Sequence, residues 1–493
     1  MTLKDERNPS FLNQVIKEGM ASGRMMGKSK VFDPKWSFAT HTKASVIKGS
    51  KHMKRSLLAL GILSACFSVY ADQAFHPAGE NLTYGASGNH QSLISYTNNP
   101  AVGSSALDVD DWYIGFGLVT SLGVGAEVGP VDDFTEQVDS LVTQLDDFSG
   151  DSIDAVEAIK ADFDSFLIEA GDSGSAQVNT ALSVPLFPIV WSSRGTLGGS
   201  LVLDANIAAL AQLSILDRPI EYNPLEQGTN ILQTNTAAYF KVGAVGEASL
   251  AYSRPVVALD EGTLHVGVRG KYYQVGLRKT LVGLSQIQDG VEDVLEDELD
   301  NARDTDVQSG IGVDFGMLWT SRNYRVGGWV KNANSPSFKY DAIGTNCDDP
   351  TLFATEQAQN GCYIAKSFAS EIDLEENYVM DAQISVEGAV YSDSRNFVAS
   401  FTADTSPVND PVGNQIQWAT ASVGYATTSW IIPGIRAGYR KNLAGSQLSA
   451  VTAGVTLFKT VHLDAAYGLE TIDVDGNAAP RMVQANIGIN LLF

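Results

Sequence analysis

Six cations fall on one predicted strand face each: Arg269, Lys271, Arg325, Lys331, Arg436 and Arg440. In a chain of formal net charge −24, such a gathering suggests a site for a carboxylate headgroup or another anion. The guanidinium fork pairs with a carboxylate through two parallel hydrogen bonds. The same side chains would also fill a polar interior by pairing with Asp314, Glu387 and Asp464, and that reading is the preferred one. Histidine adds little. Beyond residue 71 the chain has His76, His90, His265 and His462, with Asp464 two positions after the last. A hydrolase needs a serine against such a histidine. No local motif selects one, so no catalytic residue is assigned. No His/Cys/Asp/Glu spacing repeats in the manner of a metal site, and no metal or cofactor is expected.

The elements that position these residues follow from the charge distribution and the hydropathy period. Residues 1–52 are basic, with ten Lys/Arg against four Asp/Glu, whereas residues 72–493 are acidic. Between them, "MKRSLLALGILSACFSVYADQ" opens with Lys54 and Arg55, continues through a short apolar run, and ends on Val69-Tyr70-Ala71. This pattern predicts a signal peptide at 53–71 with cleavage before Asp72, and 1–52 as a mis-started or disposable extension. Leu63-Ser64-Ala65-Cys66 also fits a lipoprotein cleavage site. The residues after Cys66 stay apolar, so ordinary cleavage is preferred. The acidic remainder argues against nucleic acid as a partner.

An exported chain with no apolar run long enough for a membrane helix leaves a β-barrel to be tested. The closing segment "VQANIGINLLF" alternates: Val483, Ala485, Ile487, Ile489, Leu491 and Phe493 on one face, Gln484, Asn486, Gly488 and Asn490 on the other. Working backward, the same period recurs at 461–470, 449–458, 435–442, 415–428, 395–404, 379–390, 324–333, 309–319, 263–274, 239–251, 195–205, 183–192 and 111–120. That predicts an all-β fold, a transmembrane antiparallel barrel of about fourteen strands over 111–493, with short periplasmic turns and long outer loops. The pair 183–205 is weakened by Pro185 and Pro188, and 252–262 makes an awkward periplasmic link. Terminal Phe493 fits the signal read by barrel-assembly machinery, and outer-membrane lipid is the expected surroundings.

Two outer loops read as helical. In 131–170, Phe134, Val138, Leu141, Leu145 and Phe148, then Ile153, Val156, Ile159, Phe163 and Phe166, follow a helical spacing. Leu284, Ile287, Val291 and Val294 repeat it within 284–303. A third loop, 334–378, holds Cys347 and Cys362, an even pair expected to form a disulfide.

Three short motifs carry a family resemblance. They are "YTNNPAVGSSAL" with Asn99, Pro100 and Ala101, "VGGWVKNANSPSF" with Asn332, Asn334, Pro336 and Phe338, and "IRAGYRKNL" at a strand end. With them the chain resembles outer-membrane barrels of the long-chain fatty-acid transporter type, and more closely the exported TraF-like proteins named for conjugal transfer. The resemblance implies fourteen strands, an N-terminal plug near 72–110, and passage or capture of an apolar small molecule. The alternative is a non-enzymatic envelope component tied to conjugal transfer or surface assembly. The C-x-x-C motif that a thioredoxin-like role would need is missing from the sequence.

Overall fold

The computed structural model describes residues 79–86, 92–106, 113–133, 137, 140, 143, 153–184, 187–193, 198–222, 232–284, 305–353, 356–427, 429–474 and 476–492. The expectations for 1–52, for the leader 53–71, for the helix within 284–303 and for Phe493 concern residues outside this set, apart from Leu284.

Fifteen strands form one antiparallel sheet. They are β1 (Tyr113–Val128), β2 (Ser175–Ser183), β3 (Ile189–Ser193), β4 (Gly199–Leu216), β5 (Ala237–Leu259), β6 (Gly262–Gly283), β7 (Val307–Thr320) and β8 (Tyr324–Lys331). There follow β9 (Gln383–Tyr391), β10 (Phe397–Asp404), β11 (Trp418–Tyr425), β12 (Gly434–Asn442), β13 (Ser449–Leu457), β14 (Val461–Gly468) and β15 (Met482–Leu492). β15 pairs with β1, from Gly115↔Leu492 to Glu127↔Met482, and the sheet closes. β2 and β3 each lie between β1 and β4. They are two halves of one strand position, so the barrel has fourteen positions. The break falls at 184–188, at the prolines that weakened this stretch in the sequence. Proline has no N–H to give to a ladder.

Side-chain alternation places the barrel in a membrane. Phe315, Val326, Val423, Ile435, Tyr467 and Ile487 are exposed, while their neighbours Asp314, Arg325, Ser422, Arg436, Asp464 and Asn486 are buried. An apolar outside around a polar inside is unfavourable in water and favourable in lipid, where every strand edge must also be closed. The protein is therefore an outer-membrane barrel. Connections at 194–198, 260–261, 321–323, 392–396, 426–433 and 458–460 are short and mark the periplasmic end. The long connections all lie at the other end.

Three details depart from the sequence reading. The awkward link 252–262 is strand: β5 and β6 run through it and turn at Asp260-Glu261, with a register shift between Pro255 and Val257 accommodating the proline. The strand position expected at 183–192 begins at Ser175, shortening the first outer loop. In that loop α1 (Ile153–Ser173) is helical as expected. A second helix, α2 (Glu356–Ser367), lies in the disulfide loop, where none was expected.

Candidate functional site: a plugged lumen

Inward-facing small residues decide what enters the barrel. Gly267 on β6 pairs with Gly316 on β7. A Cβ on Gly267 would sit 2.3 Å from the Pro100 carbonyl oxygen, and one on Gly316 would sit 2.1 Å from Asn99 Oδ1. The Asn99-Pro100-Ala101 motif lies flat on a glycine floor that any side chain would lift. Asn99 Nδ2 donates to the Met317 carbonyl (3.1 Å) and to Glu387 Oε1 (2.7 Å). Asn99 Oδ1 accepts from the Ala101 N–H (3.0 Å). Upstream, the helical turn Asn81–Tyr84 meets the opposite wall. Thr83 Oγ1 donates to Asp464 Oδ1 (2.6 Å), and Ser400 Oγ donates to the Tyr84 carbonyl (3.0 Å). The described parts of 72–110 are thus buried against inward-facing strand residues.

Five of the six lumen cations are committed in this structure. Arg269, 2% exposed, donates to the carbonyls of Tyr96 (2.9 Å), Thr97 and Asn98 (3.0 Å). It also lies 3.8 Å from Asp314. Lys271 pairs with Asp314 (3.1 Å) and Glu247 (3.3 Å). Arg325 pairs with Glu387 (3.4 Å), the carboxylate that holds Asn99. Arg436 Nε donates to Asp464 Oδ1 (2.7 Å), and its Nη1 lies 3.5 Å from Glu80. Arg440 stacks 3.8 Å over the Trp418 ring and donates to Gln484 Oε1 (2.9 Å). Lys331 is half-buried at the end of β8. The carboxylates paired here include all three that the sequence offered as partners, Asp314, Glu387 and Asp464.

One contact joins residues that no local motif could pair. Ser104 Oγ lies 2.8 Å from His265 Nδ1, and His265 Nε2 lies 2.9 Å from Thr320 Oγ1. A hydroxyl does not stabilise an imidazolium as the triad carboxylate does. The Ser104 N–H is already given to Ser253 Oγ (2.8 Å). The arrangement braces the plug against β5, β6 and β7.

Toward the outer end the interior turns apolar. Tyr340, Tyr378 and Met380 from loop 332–382, and Val408, Val412 and Ile416 from loop 405–417, fold inward. They form one core with Leu210, Val245, Val275 and Leu277 of the wall. Beside it the disulfide Cys347–Cys362 holds a loop whose Ala365 and Phe368 pack on Ala237, Tyr239 and Leu281. Arg218 clamps that loop through Glu371 (2.5 and 3.0 Å), its guanidinium 3.9 Å over the Phe368 ring. Asn332 and Asn334 reverse the chain into this cap. Asn334 Oδ1 accepts from the Val313 N–H (2.9 Å), and Asn332 Oδ1 accepts from Tyr273 Oη (2.7 Å).

Asp410 anchors loop 405–417 with a buried carboxyl. Its Oδ1 accepts from the N–H groups of Val412 (3.0 Å) and Asn414 (2.8 Å). Its Oδ2 accepts from Gln177 Nε2 (3.0 Å) and Asn414 Nδ2 (3.3 Å). Burial outweighs these bonds and pushes the carboxyl up to about 6. A raised folded-state value means that the docked loop is favoured by protonation. That contribution is complete below the ordinary carboxylate range and is lost as pH rises through about 6. Amide exchange in 405–417 should therefore be roughly tenfold faster at about pH 7.5 than at about pH 5, after correction for intrinsic rates. Asp410→Asn should flatten that dependence. A flat profile in the parent chain would contradict the burial argument.

The family model of the F plasmid transfer operon protein TraF matches residues 96–404. No curated protein matches the sequence. Among solved structures, a deltaS2S3 mutant of TodX, a monoaromatic hydrocarbon channel, is 12% identical at a TM-score of 0.39, covering 86% of this chain and 99% of that one. The Pseudomonas putida toluene transporter TodX is 13% identical at 0.35, with 84% and 96% covered. A Pseudomonas aeruginosa FadL homologue is 11% identical at 0.33, with 86% and 98% covered. At these scores the architecture rests on the strand pairing given above. The family match spans more than half of the sequence, from the plug motif to the end of β10, and the chain belongs to the TraF family of the F plasmid transfer operon.

Proposed function

We propose that this barrel admits or captures apolar and amphipathic small molecules, and that the structure is its closed state. The observation that carries this reading is the apolar core made by loops 332–382 and 405–417 inside the outer half of the lumen. Hydrated solutes need a polar passage, as the interior of a porin provides. An apolar interior closed by loops suits cargo that sheds its water, and loops move more readily than wall strands. A second reading, a non-enzymatic envelope component for conjugal transfer, is favoured by the transfer operon named in the family description.

The test is whole-cell uptake in a Gram-negative host that lacks its own transporters for the probes. Cells expressing the chain should take up a labelled alkylbenzene and a medium-chain carboxylate several-fold faster than empty cells, with a disaccharide unchanged. Replacing 407–416 by a short Gly-Ser turn should raise apolar uptake further. Uptake equal to empty cells in both parent and loop variant would overturn the transport reading in favour of the second.

A further inference from the structure

We propose that the periplasmic rim around β9–β12 binds an anionic phospholipid of the periplasmic leaflet. The proposal starts from the turn 426–433. Trp430, Ile431 and Ile432 are exposed there, Ile431 by 88%. The turn is built to present them. Ser429 Oγ accepts from the N–H groups of Ile431 (3.2 Å) and Ile432 (3.1 Å), and the Ser429 N–H donates to Thr427 Oγ1 (3.0 Å). The Trp430 ring lies 5.5 Å from Phe458 of the neighbouring turn. In water, three adjacent large apolar side chains would be costly to leave exposed.

Next to this turn, a groove of about 660 Å³ runs across the four strands. Ala399, Ala437 and Val423 lie along it, flanked by Phe397, Tyr425 and Ile435. Phe397 and Tyr425 stand 5.0 Å apart. The volume falls in the range of small-molecule sites, roughly 300–1,000 Å³. Ala437 is exposed in the same outward row as Val423, its cross-strand partner. The groove therefore opens on the lipid-facing surface of the barrel and is continuous with it.

Charge selects the headgroup. Exposed Arg322 and Lys459 and half-exposed Arg395 lie in the turns on either side, with Asp393 among them and Asp260 and Glu261 in the turn beyond Arg322. Arg395 Nε donates to the Arg322 carbonyl (3.3 Å), which draws these two turns together. A cationic rim on a protein of net charge −24 is a local feature that the bulk composition does not explain. Basic side chains beside Trp and aliphatic residues are the usual anchor at an anionic lipid interface. An acyl chain fits the groove, and the phosphodiester fits the Arg322 and Arg395 side of the rim, with Lys459 adding positive charge on the far side of the groove.

Native mass spectrometry of the full chain, folded in detergent, tests this with equimolar phosphatidylglycerol and phosphatidylcholine of identical acyl chains. The parent should retain one phosphatidylglycerol several-fold more than phosphatidylcholine. The triple variant R322Q/R395Q/K459Q should lose that preference. Ala437→Phe, which fills the groove from outside, should lose retention of both lipids. Heat-dependent electrophoretic mobility reports folding separately, and both variants should keep it. Equal retention of the two lipids by the parent would overturn the proposal. So would a preference that survives the triple variant, retention that survives Ala437→Phe, or a dimer that neither lipid displaces.

Discussion

Arg269→Ala should open an ion leak through the barrel and lower its resistance to unfolding. Arg269 is the bond between plug and wall for three consecutive carbonyls, those of Tyr96, Thr97 and Asn98. Its removal takes a buried charged donor from those three acceptors, and it takes one of two cations from Asp314. Removing one partner of a buried ion pair costs about 3–5 kcal/mol, because the remaining charge stays desolvated. Part of that cost can be relieved by moving the plug, since only the plug side of the contact is irregular backbone. The expected signature is a rise in single-channel conductance in planar bilayers, with a lower temperature for loss of the compact electrophoretic form. Arg269→Lys should recover little, because one ammonium cannot reproduce a planar fork over three carbonyls. The measurement also separates two roles. A residue serving as an anion subsite would, when lost, reduce uptake of a medium-chain carboxylate and leave a closed barrel closed. A latch would raise leak for every small solute.

The strand pattern was readable because it is local. Alternation needs only the residues i and i+2, and in the strand expected at 461–470 the alternate residues His462 and Asp464 are buried while Leu463 and Tyr467 are exposed. Loop parity extended that reading to the whole barrel. The extent of β5 and β6 escaped it because Pro255 interrupts the pattern, and only the cross-strand register shows that a shift absorbs it. The plug seat escaped for another reason. Gly267 and Gly316 look like ordinary small inward residues, and their use depends on Asn99 and Pro100, more than 160 positions away in the chain. The one available signal was that glycine sat inward on neighbouring strands. The cation assignments were half legible. Their pairing with carboxylates could be read from shared faces, whereas the Arg269 contacts are to backbone carbonyls, which have no sequence signature. The contact between Ser104 and His265 was hidden in the same way, since neither residue lies in a motif that names the other. The inward fold of loop 405–417 was hidden as well, because Val408, Val412 and Ile416 are too few and too spaced to show a period.

The same logic predicts the opposite outcome for paired changes at the other end of the plug. Arg436→Met alone should be severely destabilising, and Arg436→Met with Asp464→Leu much less so. Arg436 and Asp464 are both about 5% exposed, and the guanidinium holds both carboxylate oxygens of Asp464. It also lies near Glu80 of the plug and donates to Thr456 Oγ1 (2.7 Å). With methionine in its place, Asp464 and Glu80 remain as two buried carboxylates without their cation, at a cost of about 3–5 kcal/mol. Removing the Asp464 carboxylate as well leaves an apolar pair of similar volume, and such replacements are often close to neutral. Two contacts limit the recovery. Thr83 Oγ1 loses its acceptor on Asp464, and Glu80 loses its arginine while staying 3.7 Å from the imidazole of His462. The coupling between the two positions, read from guanidinium unfolding of the four variants in micelles, should reach about 2 kcal/mol or more. Additive effects would mean that Arg436 is held by the plug and not by Asp464. In that case Glu80→Gln, and not Asp464→Leu, would rescue the single variant, and the two rescues compared in one series decide which carboxylate the arginine serves.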